Sequence, residues 1–112
     1  MLRHTWALAG GLILVAAGVA RAQQPESGGA IYARQCASCH GARGTPNPGM
    51  ARALHIPDLA TATAATLPDS VIREVVTNGK GRTMPAYKAK LTPAQIEAVG
   101  DYVRSLGKHE GH

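Results

Sequence analysis

The sequence is poor in large aromatic side chains. It contains no phenylalanine, three tyrosines and one tryptophan, Trp6, which lies near the start of the chain. Beyond residue 22 much of the apolar composition is alanine, so a core would bury little area per residue, and domains of this size are marginal even with better cores. A disulfide between the only two cysteines, Cys36 and Cys39, would close too short a loop to compensate. A large apolar cofactor would stabilise such a chain far more.

Several other absences narrow the class of protein. A chain of 112 residues holds at most one ordinary domain, and this one has no internal repeat and no alternating strand pattern. The formal net charge of +5 is modest and no basic run is dense, so nucleic acid is not expected as a partner. After residue 22 no segment is apolar enough to span a membrane.

The N-terminal region has the pattern of an export signal. A short basic start precedes an uncharged run over residues 5–20, and Ala20-Arg21-Ala22 then supplies the small-x-small pattern of a cleavage site. Left uncleaved, this run would be a membrane anchor, but it is shorter than the roughly 18 apolar residues that a spanning helix needs. We therefore expect a cleavable signal peptide over residues 1–22 and one domain over residues 23–112, exported to the periplasm.

Three segments have the apolar spacing of helices. The first, residues 28–39, runs into the cysteine pair, and the second covers residues 68–78. The last is the clearest, because Thr92 and Gln95 form a capping box at its start and Gly107 follows its end.

Residues 41–66 have little periodicity and are rich in glycine, proline and alanine. They leave room for only a short helical turn around residues 50–54. So long an irregular stretch in a small domain is usually functional. A loop that wraps around a cofactor would account for it.

The segment Cys36-Ala37-Ser38-Cys39-His40 raises the main question of the sequence. Two thiols three residues apart, followed by an imidazole, suit a dithiol or disulfide switch, half of a zinc site, or covalent attachment of haem. In a helix the two thiols project from the same side, and His40 swings back over that side. The thiols can then form thioether bonds with the two vinyl groups of a porphyrin, and His40 becomes the proximal iron ligand.

The rival explanations lack the residues that they need. A zinc site requires four ligands, usually with a second pair at regular spacing, and the remaining histidines of the expected domain, His55, His109 and His112, do not provide it. A thioredoxin-like switch expects a βαβ context, which is missing here. The pattern therefore favours one haem c per chain, attached through Cys36 and Cys39, with the dithiol switch as the remaining alternative.

Met84 is the expected second axial ligand of the iron. It lies in a loop between two helices, where Pro85 stiffens the chain and nearby glycines allow the backbone to approach a cofactor. A thioether opposite imidazole raises the reduction potential, as suits an electron carrier. The alternatives are Met50 as the ligand, in a looser context, and Met84 as a filler of the core.

Over nearly its whole length after residue 22, the chain resembles class I c-type cytochromes. The resemblance implies an all-α fold with at least three helices around one haem. The residues that carry it are Gly28, Tyr32, Cys36, Cys39-His40-Gly41, Pro57-Asp58-Leu59, Met84-Pro85-Ala86-Tyr87, Tyr102 and Leu106.

The same resemblance implies roles for individual positions. Gly28 and Tyr32 would pack on Val99 and Tyr102, where the first and last helices cross. The carbonyl of Pro57 would accept a hydrogen bond from Nδ1 of His40 and fix the imidazole. Leu59 and Tyr87 would line the haem pocket.

With both axial positions filled, substrates cannot reach the iron, which favours an electron carrier over an enzyme. We expect a monohaem cytochrome that carries single electrons between periplasmic redox partners. Two alternatives remain: the dedicated haem subunit of a periplasmic dehydrogenase complex, and a haem-based gas or redox sensor in which Met84 leaves the iron.

Basic residues surround the Met84 loop, and no acidic residue falls between Glu74 and Glu97. This side of the molecule should be locally positive and able to attract the acidic face of an electron donor or acceptor. The alternative is that these charges are merely solvated. The expected docking residues are Lys80, Arg82, Lys88 and Lys90.

Overall fold

The structure is a computed structural model that describes residues 9–13 and 25–108. Most of the predicted signal peptide lies outside these residues, so its presence and its cleavage stay predictions. No helix in the described part of the chain is both long and apolar enough to cross a membrane.

The described residues form six α-helices and no β-strand, which confirms the predicted all-α class. The longest helix lies centrally and packs against the first, fourth and fifth. The helices are α1 (Gly28–Gln35), α2 (Ala37–His40), α3 (Pro48–Leu54), α4 (Ala62–Thr66), α5 (Asp69–Asn78) and α6 (Pro93–Lys108).

Helix α6 begins as predicted. The backbone N–H of Thr92 donates to Oε1 of Gln95 over 2.8 Å, and the N–H of Gln95 donates to Oγ1 of Thr92 over 3.2 Å. These two bonds satisfy N–H groups that have no partner within a helix. The predicted end was wrong, because α6 continues through Gly107. A Cβ there would lie 2.2 Å from the carbonyl oxygen of Thr61, so Gly107 permits a close approach of α6 to the start of α4.

Helices α1 and α6 cross at the point that the resemblance implied. A Cβ at Gly28 would lie 2.1 Å from the carbonyl oxygen of Ala98, so the two backbones nearly touch. The rings of Tyr32 and Tyr102 pack with their centroids 5.2 Å apart. Val99 is completely buried in the same cluster. This crossing forms the centre of the core.

The predicted single helix over residues 28–39 is interrupted at Cys36. Its φ of −116° departs from helical geometry, and a new helix, α2, begins at Ala37. The N–H of Cys39 donates to the carbonyl of Cys36 over 3.2 Å, and the hydroxyl of Tyr87 donates to the carbonyl of Gln35 over 3.0 Å. In an unbroken helix the carbonyl of Gln35 would accept from the N–H of Cys39. Here it accepts from the hydroxyl of Tyr87, and the helix is interrupted.

The irregular stretch over residues 41–66 contains two short helices. The expected turn is helix α3, and it starts earlier than predicted because the side chain of Asn47 accepts from the backbone N–H groups of Gly49 and Met50. Helix α4 was not predicted. Its N-cap is Thr61, and Ala64 is buried where α4 packs on α6.

The second predicted helix is α5, which begins one residue after Pro68 and ends at Asn78, with Gly79 following it as expected. Between α2 and α4, residues 45–58 form a loop that closes on itself. At its base, Oγ1 of Thr45 donates to Oδ1 of Asp58 over 3.1 Å, and the N–H of Leu59 donates to the carbonyl of Gly44 over 2.8 Å.

Candidate functional site

Cys36 lies between α1 and α2 as the cap of both helices, and Ala37–His40 form α2. Cys36 is half-buried, Cys39 is exposed, and both are free thiols. The hydroxyl of Tyr32 donates to the carbonyl of Gly41 over 2.6 Å and ties the far end of α2 back to α1. The two thiols and the imidazole are therefore held in a short, fixed turn.

His40 is half-buried, and burial lowers the pKa of its imidazole. At neutral pH this favours the neutral ring, which is the form that binds metals. Its Nδ1 atom is buried without a hydrogen-bond partner in the described part of the chain. An unpaired buried nitrogen is costly, and no group in the described residues fixes the orientation of the ring through this atom.

The predicted bond from Nδ1 of His40 to the carbonyl of Pro57 is absent, and that prediction was wrong for this structure. Pro57 is exposed. Its neighbours Asp58 and Leu59 bond to Thr45 and Gly44 at the base of the loop, and these bonds set the position of Pro57.

The Met84 loop, defined here as residues 79–91, is anchored on the end of α5. Met84 exchanges two backbone hydrogen bonds with Lys80, of 3.0 and 3.3 Å. The N–H groups of Tyr87 and Lys88 donate to the carbonyls of Val76 and Thr77 over 3.0 and 3.2 Å. These carbonyls belong to the last turn of α5, which leaves them free to accept. The backbone around Met84 is therefore fixed by the protein itself.

Several predicted pocket residues meet at one cluster. Cys36, Leu59, Met84 and Tyr87 are partly buried and all pack against the core. The alternative ligand, Met50, lies on α3 with 37% of its area exposed. Pro57 is the one predicted pocket residue that lies on the surface. The structure thus brings the thioether of Met84, and not that of Met50, to the core on which Cys36 packs.

The available donors fit a haem better than a metal ion alone. Two thiols one turn apart, an imidazole and a partly buried thioether are the groups that covalent haem requires. Within residues 9–13 and 25–108 no group of three or more His, Cys, Asp or Glu side chains is arranged to hold a metal ion.

The predicted docking residues lie on the surface. None of the four makes an ion pair with a described acidic residue, and the only side-chain contact of note places Nζ of Lys90 5.6 Å from the centre of the Tyr87 ring. The exposed cations are Lys80, Arg82, Lys88 and Lys90.

Comparison with known proteins decides the family. A family profile described as cytochrome C oxidase, cbb3-type, subunit III, matches residues 23–103. The chain belongs to the class I c-type cytochromes. The structure of this cytochrome is also similar to that of the KustC0563 c-type cytochrome, with a TM-score of 0.66 and 29% identity, over 72% of this chain and 98% of the other.

Two kinds of relative differ in size. The cytochrome c6 of Leptolyngbya boryana is 36% identical over 77 residues, which are 69% of this chain and 86% of the relative. The cbb3-type cytochrome c oxidase subunit FixP of Bradyrhizobium sp. (strain ORS 278) is 37% identical over 83 residues, which are 72% of this chain but 27% of the subunit. This cytochrome thus spans about a quarter of the length of the oxidase subunits that it matches.

Membership of the family gives the general role. A c-type cytochrome domain binds haem and transfers electrons, so the matched residues form a haem-binding, electron-transfer domain. Its fold is the cytochrome c fold. Sequence reasoning missed the tyrosine hydroxyls that hold the two ends of the cysteine segment, because no local pattern marks them.

Proposed function

We propose that this cytochrome carries one haem c, attached covalently through Cys36 and Cys39, with His40 and Met84 as its axial ligands. The observation that carries the proposal is that Cys36 and Met84 pack on one core, while burial lowers the pKa of His40 and favours its neutral, metal-binding imidazole. When bound, the haem supplies a one-electron ferric/ferrous couple.

The residues of the chain then have separate tasks. Cys36 and Cys39 hold the cofactor, His40 and Met84 fill the two axial positions, and Leu59 and Tyr87 exclude water from its surroundings. The thioether of Met84 raises the reduction potential relative to a second imidazole. Because the loop backbone is fixed by hydrogen bonds to α5, little rearranges when the charge of the site changes.

We favour a shuttle that carries single electrons between periplasmic donor and acceptor proteins, exported by a signal peptide over residues 1–22. Its similarity to a cytochrome c6 over 86% of that relative supports this role. The exposed cations at Lys80, Arg82, Lys88 and Lys90 would attract partners with acidic docking faces.

A second candidate is the electron-transfer subunit of a larger oxidoreductase, such as a periplasmic dehydrogenase. The similarity to FixP and CcoP supports it, since those relatives are oxidase subunits. Co-purification of the native chain with a catalytic subunit would favour this candidate, whereas recovery of the chain alone would favour the shuttle.

Absorption spectra of the oxidised and reduced protein, followed by a pyridine haemochrome, test the site. We expect two thioether bonds and a weak red band from sulfur-to-iron ligation. Met84→His should abolish that band and lower the reduction potential, with the iron still six-coordinate. Met50→Leu is the matched control and should change neither quantity. Loss of the band in the Met50 variant instead would transfer the ligand role to Met50.

A further inference from the structure

One hydrogen bond joins the Met84 loop to the cysteine segment. The hydroxyl of Tyr87, three residues after Met84, donates to the carbonyl of Gln35, the residue directly before Cys36. Within the described residues no other hydrogen bond connects residues 79–91 with residues 28–41. All other bonds of the loop hold it to itself or to α5.

Tyr87 is itself fixed by its remaining polar groups. Its N–H donates to the carbonyl of Val76 over 3.0 Å, and its carbonyl accepts from the N–H groups of Lys90 and Leu91 over 2.9 and 2.8 Å. Its ring packs partly buried against the core. The residue therefore joins three parts of the fold: the end of α5, the turn before α6 and the bend at Cys36.

The acceptor is well suited to such a contact. The carbonyl of Gln35 has left the helical pattern, because the N–H of Cys39 bonds to Cys36 instead. A partly buried carbonyl without a partner costs free energy, so the Tyr87 hydroxyl stabilises the bend and the loop together.

We propose that Tyr87 is a positioning residue that holds the Met84 loop against the haem-attachment turn and so limits detachment of Met84 from the iron. This inference rests on the proposed function, in which Met84 is the axial ligand. Tyr87→Phe keeps the packed ring and removes only the hydroxyl. Loss of one such hydrogen bond should raise the population with a detached Met84 about two- to tenfold.

Tyr32 provides a matched control. Its hydroxyl also donates to a backbone carbonyl, that of Gly41, over 2.6 Å, and thus holds the other end of the same segment. Both partners of this bond lie on the haem-attachment side, so Tyr32→Phe removes a similar bond without releasing the Met84 loop. It should lower the overall stability and leave the behaviour of Met84 unchanged.

The test uses the haem-loaded protein. Carbon monoxide binds reduced iron only after Met84 leaves, so its association rate reports the detached population. We expect Tyr87→Phe to accelerate association about two- to tenfold and Tyr32→Phe to match the wild type. In guanidinium titrations, the red band of the Tyr87 variant should vanish at lower denaturant than the helical signal, whereas in the Tyr32 variant both signals should shift together.

The outcomes distinguish a wrong assignment of Met84 from a wrong role for Tyr87. A wild-type protein without the sulfur-to-iron band would overturn the assignment of Met84, and this inference with it. A wild-type protein with the band, together with a Tyr87→Phe variant whose carbon monoxide rate and band midpoint are unchanged, would overturn the role of Tyr87 alone.

Discussion

The crossing of α1 and α6 leaves no room for a methyl group at Gly28. A Cβ there would lie 2.1 Å from the carbonyl oxygen of Ala98 and 2.7 Å from its carbonyl carbon. Both atoms belong to the backbone of α6, so no side-chain rotation relieves the contact. Normal carbon contacts lie at about 3.5–4 Å, and Gly28→Ala must therefore separate the helices by roughly 1 Å.

The loss of stability expected for Gly28→Ala depends on the side chains at this crossing. Tyr32, Ile31 and Val99 are the most completely buried large side chains, and they pack where the two helices meet. Overpacking of a core costs about 1–3 kcal/mol, and a rigid backbone obstacle places this site at the upper end. Alanine regains up to about 1 kcal/mol through its helix propensity. The net loss is about 2 kcal/mol, which lowers the melting temperature by about 8–16 °C in a domain of this size.

Thermal unfolding of the haem-loaded protein, followed by circular dichroism, measures this loss. Gly100→Ala is the matched control in α6, because a Cβ there would meet only the Cγ2 atom of Ile72 at 3.5 Å, an ordinary contact. That variant should gain about 0.5–1 kcal/mol from the replacement of a helical glycine. A Gly28→Ala protein that melts at or above the wild-type temperature would refute the reasoning.

Two further predictions concern charge. Association with an acidic redox partner should slow as ionic strength rises, because salt screens exposed cations such as Lys88 and Lys90 over about 10 Å at 0.1 M. Stopped-flow rates that are independent of salt and unaffected by Lys88→Glu would contradict electrostatic attraction. Burial raises the pKa of Tyr32 from 10.0 to about 12, so the free energy of unfolding should fall between these pH values, where only the unfolded phenol ionises. Urea titrations should show this slope reduced in Tyr32→Phe, and an equally steep slope would count against it.

Local signals predicted the start of α6 and the end of α5. The capping box of Thr92 and Gln95 joins residues three apart, so the sequence contains everything that forms it. The prediction that Gly107 follows the end of α6 was wrong, because the role of this glycine depends on the carbonyl of Thr61, which is distant in sequence. A glycine near a helix end has the same appearance whether it stops the helix or admits a neighbouring backbone.

The spacing of apolar residues did not predict helix α4. Its sequence, Ala62–Thr66, has no large apolar side chain, so no spacing marks a buried face. The helix exists because small residues allow its backbone to approach α6, and Ala64 is buried in that contact. The N-cap Thr61 is a weak signal in the sequence, because it is one of several threonines in a tract of alanine and threonine.

The candidate site also combines a pattern that is local in the sequence with a contact between distant residues. The proposed chemistry of Cys36, Cys39 and His40 depends on five consecutive residues, so their spacing alone suggests it. The link from Tyr87 to Gln35 joins a side chain to a backbone carbonyl across the fold, and no residue type at Gln35 records it. Backbone acceptors are chosen by tertiary structure, which a single sequence does not display.

The closed base of the loop over residues 45–58 makes it a natural place for insertion. The bonds from Thr45 to Asp58 and from Leu59 to Gly44 hold the two ends together, whatever chain lies between them. The entropy of loop closure grows only with the logarithm of length, so doubling the loop costs about 0.6 kcal/mol. A peptide tag for attachment to an electrode surface could therefore be inserted within residues 45–58 without a change in His40 or Leu59.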